Sequence, residues 1–119
     1  MENKFKMENP DKQKRKELVD SLIKNNPGKI PVILEKDASS NLVGIKKTRY
    51  LFPETFTINE FILQIRKSLK IPEETAIFLA AKGKYNLVGE KTMGEVYKLY
   101  KDKEDGFVYI MYSSVLVYG

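Results

Sequence analysis

The sequence predicts an α+β fold: a small sheet crossed by an amphipathic helix, with a further helix in front. Three observations predict it. Two short β-branched or aromatic runs, residues 30–34 and 48–52, are separated only by loop-forming residues, as in an antiparallel hairpin. Thr57-Ile-Asn-Glu60 then opens an apolar pattern at i, i+3, i+4, i+7, the signature of a capped amphipathic helix. Two later segments, 76–80 and 107–112, have strand composition and enclose a second short helix.

Taken in order, Asn9-Pro10 reads as a helix start, with Asn9 as cap and Pro10 in the first position. Leu18, Val19, Leu22 and Ile23 fall on one side of a helix running to about Asn25, and Pro27-Gly28 stops it. A separate short helix before Pro10 is weakly signalled. Residues 37–44 are loop, and Pro53 closes the second strand. The central helix presents Ile58, Phe61, Ile62, Ile65 and Leu69 on one face and runs up to Pro72. After the third strand comes a looser stretch at Lys82-Gly83-Lys84. Thr92-Met-Gly-Glu95 is a second capping box, for a helix reaching about Tyr100, and residues 102–106 turn the chain into the last strand. Helix, β, β, α, β, α, β is the order of a ubiquitin-like β-grasp with an N-terminal helical extension. In that fold the last strand lies centrally beside the first, and the chain leaves the sheet as a tail.

Composition narrows the function. The 119 residues make one domain with one modest core, at 42% hydrophobic and 31% charged. No apolar run nears the roughly 20 residues of a membrane helix, and the N-terminus lacks a secretory pattern. There is no Cys and no His, so the usual nucleophile–base pairs and the commonest metal ligand are missing. Glu54, Glu60, Glu73 and Glu74 fall at caps and turns, and no phosphate loop or metal-ligand spacing occurs, so no catalytic residue, metal or cofactor is expected. The net charge of +5 favours anionic partners, with basic runs at Lys12-Gln-Lys14-Arg15-Lys16, Lys46-Lys-Thr-Arg49 and Arg66-Lys67. Seven Tyr among these lysines would suit RNA stacking, but the glycine–aromatic signature of an RNA-recognition strand is absent, so nucleic acid is not an expected partner.

Two features carry chemistry. Gly119 has no Cβ, so its carboxyl fits a narrow enzyme channel and meets a nucleophile unhindered. The second strand alternates basic and large apolar residues before Pro53. That pattern suits strand addition by an extended peptide, and equally an edge protected by lysines.

The stretches Pro27-Gly-Lys-Ile-Pro-Val-Ile-Leu-Glu-Lys36, Lys46-Lys-Thr-Arg-Tyr-Leu-Phe-Pro53, Phe61-Ile-Leu-Gln-Ile-Arg-Lys67, Thr92-Met-Gly-Glu-Val-Tyr97, Asp105-Gly-Phe-Val-Tyr109 and Tyr112-Ser113…Tyr118-Gly119 together resemble the ubiquitin-like autophagy modifiers of the GABA-receptor-associated-protein type. The resemblance implies a division into an N-terminal helical extension (1–26), a ubiquitin-like β-grasp core (27–113) and a flexible C-terminal conjugation tail (114–119). It implies an E1-like and E2-like relay that joins Gly119 to phosphatidylethanolamine, a deconjugating cysteine protease, and a cytoplasmic protein with a lipidated pool on autophagosomal membranes. It also implies binding of receptors through short aromatic-x-x-Leu/Ile/Val motifs. Leu22, Pro31, Arg49, Leu51 and Phe107 would receive the aromatic residue. Tyr50, Phe52, Pro53, Phe56 and Phe61 would shape the second pocket, and Lys47 would flank the added strand. Asp11, Leu18, Gln64, Ser68 and the apolar run Ser114-Val-Leu-Val117 depart from the family's pattern. A modifier joined to a protein lysine, an unconjugated peptide-binding module and a basic RNA-binding domain are the ranked alternatives. A monomer is expected.

Overall fold

A computed structural model describes residues 3–116 of the chain. Its order is α1 (Lys4–Glu8), α2 (Lys12–Asn25), β1 (Lys29–Lys36), β2 (Arg49–Pro53), α3 (Ile58–Leu69), β3 (Phe78–Ala81), β4 (Tyr85–Leu87), α4 (Met93–Tyr100) and β5 (Val108–Ser113). The strands form one sheet in the order β2-β1-β5-β3-β4. β1 and β5 run parallel at its centre, and every other pair is antiparallel. This is the predicted β-grasp, with the last strand beside the first.

β1 explains the two-layered packing around the sheet. Ile30 through Glu35 are all buried, so the strand is covered on both faces. Because side chains alternate, Ile30, Val32 and Leu34 enter one core with Ile58, Phe61 and Ile65 of α3 and Met93 and Val96 of α4. Ile33 enters a second core with Phe5, Val19, Phe107 and Tyr109, against which Leu18 and Leu22 pack. Both predicted capping boxes form: Thr57 with Glu60, and Thr92 with Glu95.

Three expectations are corrected in detail. α2 begins at Lys12, where Asp11 is the cap and its carboxylate accepts the Gln13 and Lys14 amides at 3.0 and 3.2 Å. Asn9 is instead engaged at the end of α1, where its amide and side chain both donate to Phe5 O. α3 ends at Leu69, three residues before Pro72: Lys70 adopts φ 54° and the Ile71 amide reaches back to Arg66 O at 3.0 Å. The loose stretch is a tight turn with Lys82 at φ 55° and Gly83 at φ 70°, and it starts a further strand, β4. Two consecutive left-handed residues match the twist of a hairpin, which a three-residue strand is too short to announce.

The N-terminal helices are held to the sheet by a buried ionic knot. The Arg15 Nε–H donates to Asp105 Oδ2 at 2.8 Å, and the Tyr109 hydroxyl donates to the same oxygen at 2.5 Å. Asp105 Oδ1 accepts the Phe107 amide at 2.8 Å, so both carboxylate oxygens are satisfied. Burial, then the bond to Asp105, pushes the Tyr109 phenol well above its ordinary pKa, so it stays a donor. The next residue after Asp105 must be glycine: Gly106 has φ 87°, and an added Cβ would lie 3.1 Å from Val19 Cγ1. α1 is pinned by Phe5 N–H to Glu35 Oε2 at 2.9 Å and by Lys6 to Asp102 at 2.5 Å.

Removing one partner of a buried ion pair strands the other. Asp105→Ala should therefore cost about 3–5 kcal/mol, read as a lowered urea midpoint. Asp20→Ala, which breaks the exposed Lys16–Asp20 pair, should cost no more than about 0.5 kcal/mol in the same titration.

Candidate functional site

β2 is an edge strand, and its register decides which of its groups face solvent. Its neighbour pairs are Pro31 with Leu51, Ile30 with Phe52 and Val32 with Tyr50. Beyond its ends, Leu34 N–H donates to Thr48 O at 2.8 Å and Glu54 N–H to Gly28 O at 2.9 Å. Hydrogen-bonded pairs alternate along an antiparallel ladder, so Thr48, Tyr50, Phe52 and Glu54 bond inward to β1. The N–H and C=O of Arg49 and Leu51 therefore point away from the sheet. Pro53 has no N–H, and its carbonyl accepts from Phe56 at 3.0 Å, so the outward row ends there.

The same alternation sorts the side chains. Tyr50 and Phe52 lie on the α3 side, where the rings form a continuous series. Tyr50 stacks on Phe52 at 5.5 Å and 11°, Phe52 on Phe56 at 5.5 Å and 7°, and Phe52 meets Phe61 at 4.6 Å. Tyr50 and Phe56 are half-buried, Pro53 is exposed, and Phe52 and Phe61 lie beneath as the floor. Burial raises the Tyr50 phenol above its ordinary pKa, and the Lys47 ammonium sits 4.9 Å from its ring centre. The row continues into a depression of about 400 Å³ lined by Phe56, Glu60, Leu63, Gln64, Lys67 and Ser68.

On the opposite side of β2, Arg49 is exposed and Leu51 half-buried, beside the buried Pro31. Leu22 of α2 packs against the second core that contains Phe107. Phe107 is 1% exposed, its ring covered edge-on by Phe5 at 5.3 Å, so it forms the base of this face rather than its surface. The two predicted groups thus sit on the two faces of one edge strand, except that Pro53, predicted with Tyr50 and Phe52, alternates onto the side of Arg49 and Leu51. Gly119, the predicted conjugation residue, lies outside the described residues.

Leu63 belongs with this surface, although sequence reasoning does not single it out. It interrupts the polar side of α3 and is 58% exposed, beside Phe56. An apolar residue out of phase with Ile58, Phe61, Ile62, Ile65 and Leu69 is the signal available in the sequence. The edge strand and the connection leading into it are basic: residues 38–53 contain Lys46, Lys47 and Arg49 and no Asp or Glu, while Glu54 follows Pro53 and Glu60 lines the depression on the α3 side. Among the described residues, no group of acidic, His or Cys side chains is arranged to hold a metal, and no helix is long and apolar enough to cross a membrane.

A β-grasp sheet with a free, aromatic-flanked edge and two helices on its back defines the chain as a ubiquitin-like protein. The family model described as "Autophagy protein Atg8 ubiquitin like" matches residues 14–119. Autophagy-related protein 8e of Arabidopsis thaliana is 41% identical over 115 residues, covering 97% of this chain and 92% of that protein. Autophagy-related protein 8 of Kluyveromyces lactis is 36% identical over 119 residues, covering 100% of this chain and 94% of the relative. The crystal structure of Trypanosoma brucei ATG8 superposes with a TM-score of 0.85 at 26% identity, covering 95% of both chains. The chain belongs to the Atg8 family of autophagy-related ubiquitin-like proteins.

The ladder parity has a direct readout. In amide hydrogen exchange followed by NMR, Arg49 and Leu51 should exchange fast while Tyr50 and Phe52 are protected. Protection of Arg49 and Leu51 in the isolated protein would mean the edge is already occupied.

Proposed function

We propose that this chain is a modifier and not an enzyme. Its Gly119 carboxyl is joined by an amide bond to the amine of phosphatidylethanolamine, through E1-like and E2-like enzymes, and is released by a deconjugating cysteine protease. It acts in autophagosome formation, as a cytoplasmic protein with a lipidated pool on autophagosomal or related membranes. There it recruits receptors carrying aromatic-x-x-Leu/Ile/Val motifs. Membership of the Atg8 family supports the conjugation half of this reading, and the absence of a Cβ at Gly119 suits attack on its carbonyl.

The observation that carries the receptor half is the geometry of β2. A peptide added as a strand would bond the outward groups of Arg49 and Leu51. Along an extended peptide, side chains alternate faces, so residues three apart point to opposite sides and sit about 10 Å apart. An aromatic-x-x-aliphatic motif therefore sends one anchor to each side of the edge. The aromatic residue meets Leu22, Pro31, Arg49 and Leu51 above Phe107. The aliphatic residue meets Tyr50, Phe52, Phe56 and Leu63 above Phe61, where Pro53 closes the strand. Acidic residues flanking the motif complement Lys46, Lys47 and Arg49.

Phe52 and Phe61 belong to the core, so truncating them mixes folding with binding. Leu51→Ala and Leu63→Ala test the two faces cleanly. In calorimetry with an aromatic-x-x-Leu peptide, each should weaken binding about tenfold; unchanged affinity in both would sink the assignment. Mass spectrometry of protein from its own cells should find a phosphatidylethanolamine adduct on Gly119 that Gly119→Ala abolishes. A protein remnant there would instead indicate conjugation to lysine.

A further inference from the structure

Where β1 and β5 finish side by side, the protein carries an exposed apolar surface. Lys36 and Tyr112 form the last rung of their pairing, and both the β1–β2 connection and residues 114–116 leave from that end. The two segments are bound together. Ser114 N–H donates to Ser40 Oγ at 3.1 Å, the Ser114 hydroxyl donates to Asn41 Oδ1 at 3.3 Å, and the Tyr112 hydroxyl donates to Val43 O at 2.6 Å. The Lys36 ammonium fixes the start of the connection by donating to Ser40 O at 2.6 Å. On this braced platform Val43, Val115 and Leu116 stand 55%, 53% and 45% exposed.

The exposed charges of the connection into β2 are basic, and Asp37 at its start is buried. Residues 38–53 hold Lys46, Lys47 and Arg49 without a carboxylate, and residues 106–119 carry no charged side chain. Exposed apolar side chains on two segments bonded together, with lysines following in the same connection, fit the boundary between headgroups and acyl chains of an anionic bilayer. Chain length supplies the occupant. Gly119 is three residue steps from Leu116, a reach of at most about 10 Å even when extended. A lipid on Gly119 therefore holds Leu116 within that distance of the headgroups.

We propose that Val43, Val115 and Leu116, with Lys46 three positions after Val43, form the surface by which the conjugated protein sits on an anionic membrane. This rests on conjugation at Gly119. The short tether creates a high effective concentration of membrane at the surface, so a contact too weak to hold the free protein becomes populated after conjugation. The protein would then stand with its sheet end against the lipid. Leu51 and Leu63 along the β2 edge stay available to receptors.

The chain contains no Cys and no Trp, so one of each can be introduced as a unique handle. Gly119→Cys is coupled to maleimide-phosphatidylethanolamine in phosphatidylcholine vesicles with and without phosphatidylserine, in place of the enzymes. Val43→Trp is the reporter. Lys103→Trp, in the connection before β5 at the other end of the sheet, is the control. After coupling, the fluorescence of the Val43→Trp reporter should shift to shorter wavelength and be quenched by brominated acyl chains, while that of the Lys103→Trp control stays as in solution. Leu116→Ser should reduce the quenching, and Lys46→Glu should reduce it on phosphatidylserine vesicles. The proposal is overturned if reporter and control behave alike, or if the reporter indole stays water-exposed once coupled. Chemical coupling makes this result independent of the enzymes, whereas a missing lipid adduct on Gly119 in cells would count against the conjugation reading instead.

Discussion

β1 and β5 lie side by side in parallel at the centre of the sheet, yet they come from opposite ends of the fold. Their pairing runs from Val32 with Val108 to Lys36 with Tyr112, and both strands are buried on both faces. Parallel neighbours need a crossover, and the intervening chain supplies it: β2, α3, β3, β4 and α4 all lie between them in sequence. The pairing has three consequences. It pushes β2 to the edge, sends the C-terminal segment out at the end where the β1–β2 connection turns, and leaves a second face of the sheet to be covered.

That second face is where the N-terminal helices bind. Ile33, Phe107 and Tyr109 would be exposed without α1 and α2, and Phe5, Val19 and Leu22 cover them. Burying the Tyr109 hydroxyl and the Asp105 carboxylate would be costly on its own, and Arg15 offsets that cost by completing the set of hydrogen bonds. The helices thus depend on the sheet for an apolar surface, and the sheet depends on the helices for the partner of its buried charge. Leu22, which packs against this second core, is also among the residues proposed to receive a receptor's aromatic side chain, and on that reading the helical layer takes part in recognition.

The β2 edge exposes little. An unpaired strand is an aggregation hazard, and this one is short, basic and closed by Pro53. Those are also the properties of a selective peptide site: two residues with free backbone groups, an aromatic series on one side and an aliphatic surface on the other. Phe52 and Phe61 serve both purposes, since they complete the core from below and form the base of the α3-side surface from above.

Much of this is legible in the sequence, because the signals are local. Thr57 with Glu60 and Thr92 with Glu95 announce helix starts through chemistry three residues long, and the run from Ile30 to Leu34 announces a strand through its β-branched content. The order of elements then suffices for the β-grasp, and the ordered motifs suffice for the family. Signals that compete locally mislead: Asn9 and Asp11 are both good caps, and only the docking of α1 onto Glu35 and Asp102 decides between them. β4 is invisible because three residues carry no period, and its turn needs a positive φ at Lys82 that only pairing with β3 stabilises. Local chemistry in the chain settles which residues are apolar, where helices start and which stretch becomes the edge. Long-range packing settles which edge groups face outward, that Phe107 and Phe61 are floors rather than surfaces, and that the Val43 carbonyl meets the Tyr112 hydroxyl of β5. Those outcomes depend on strand register, and register is set by contacts between residues tens of positions apart.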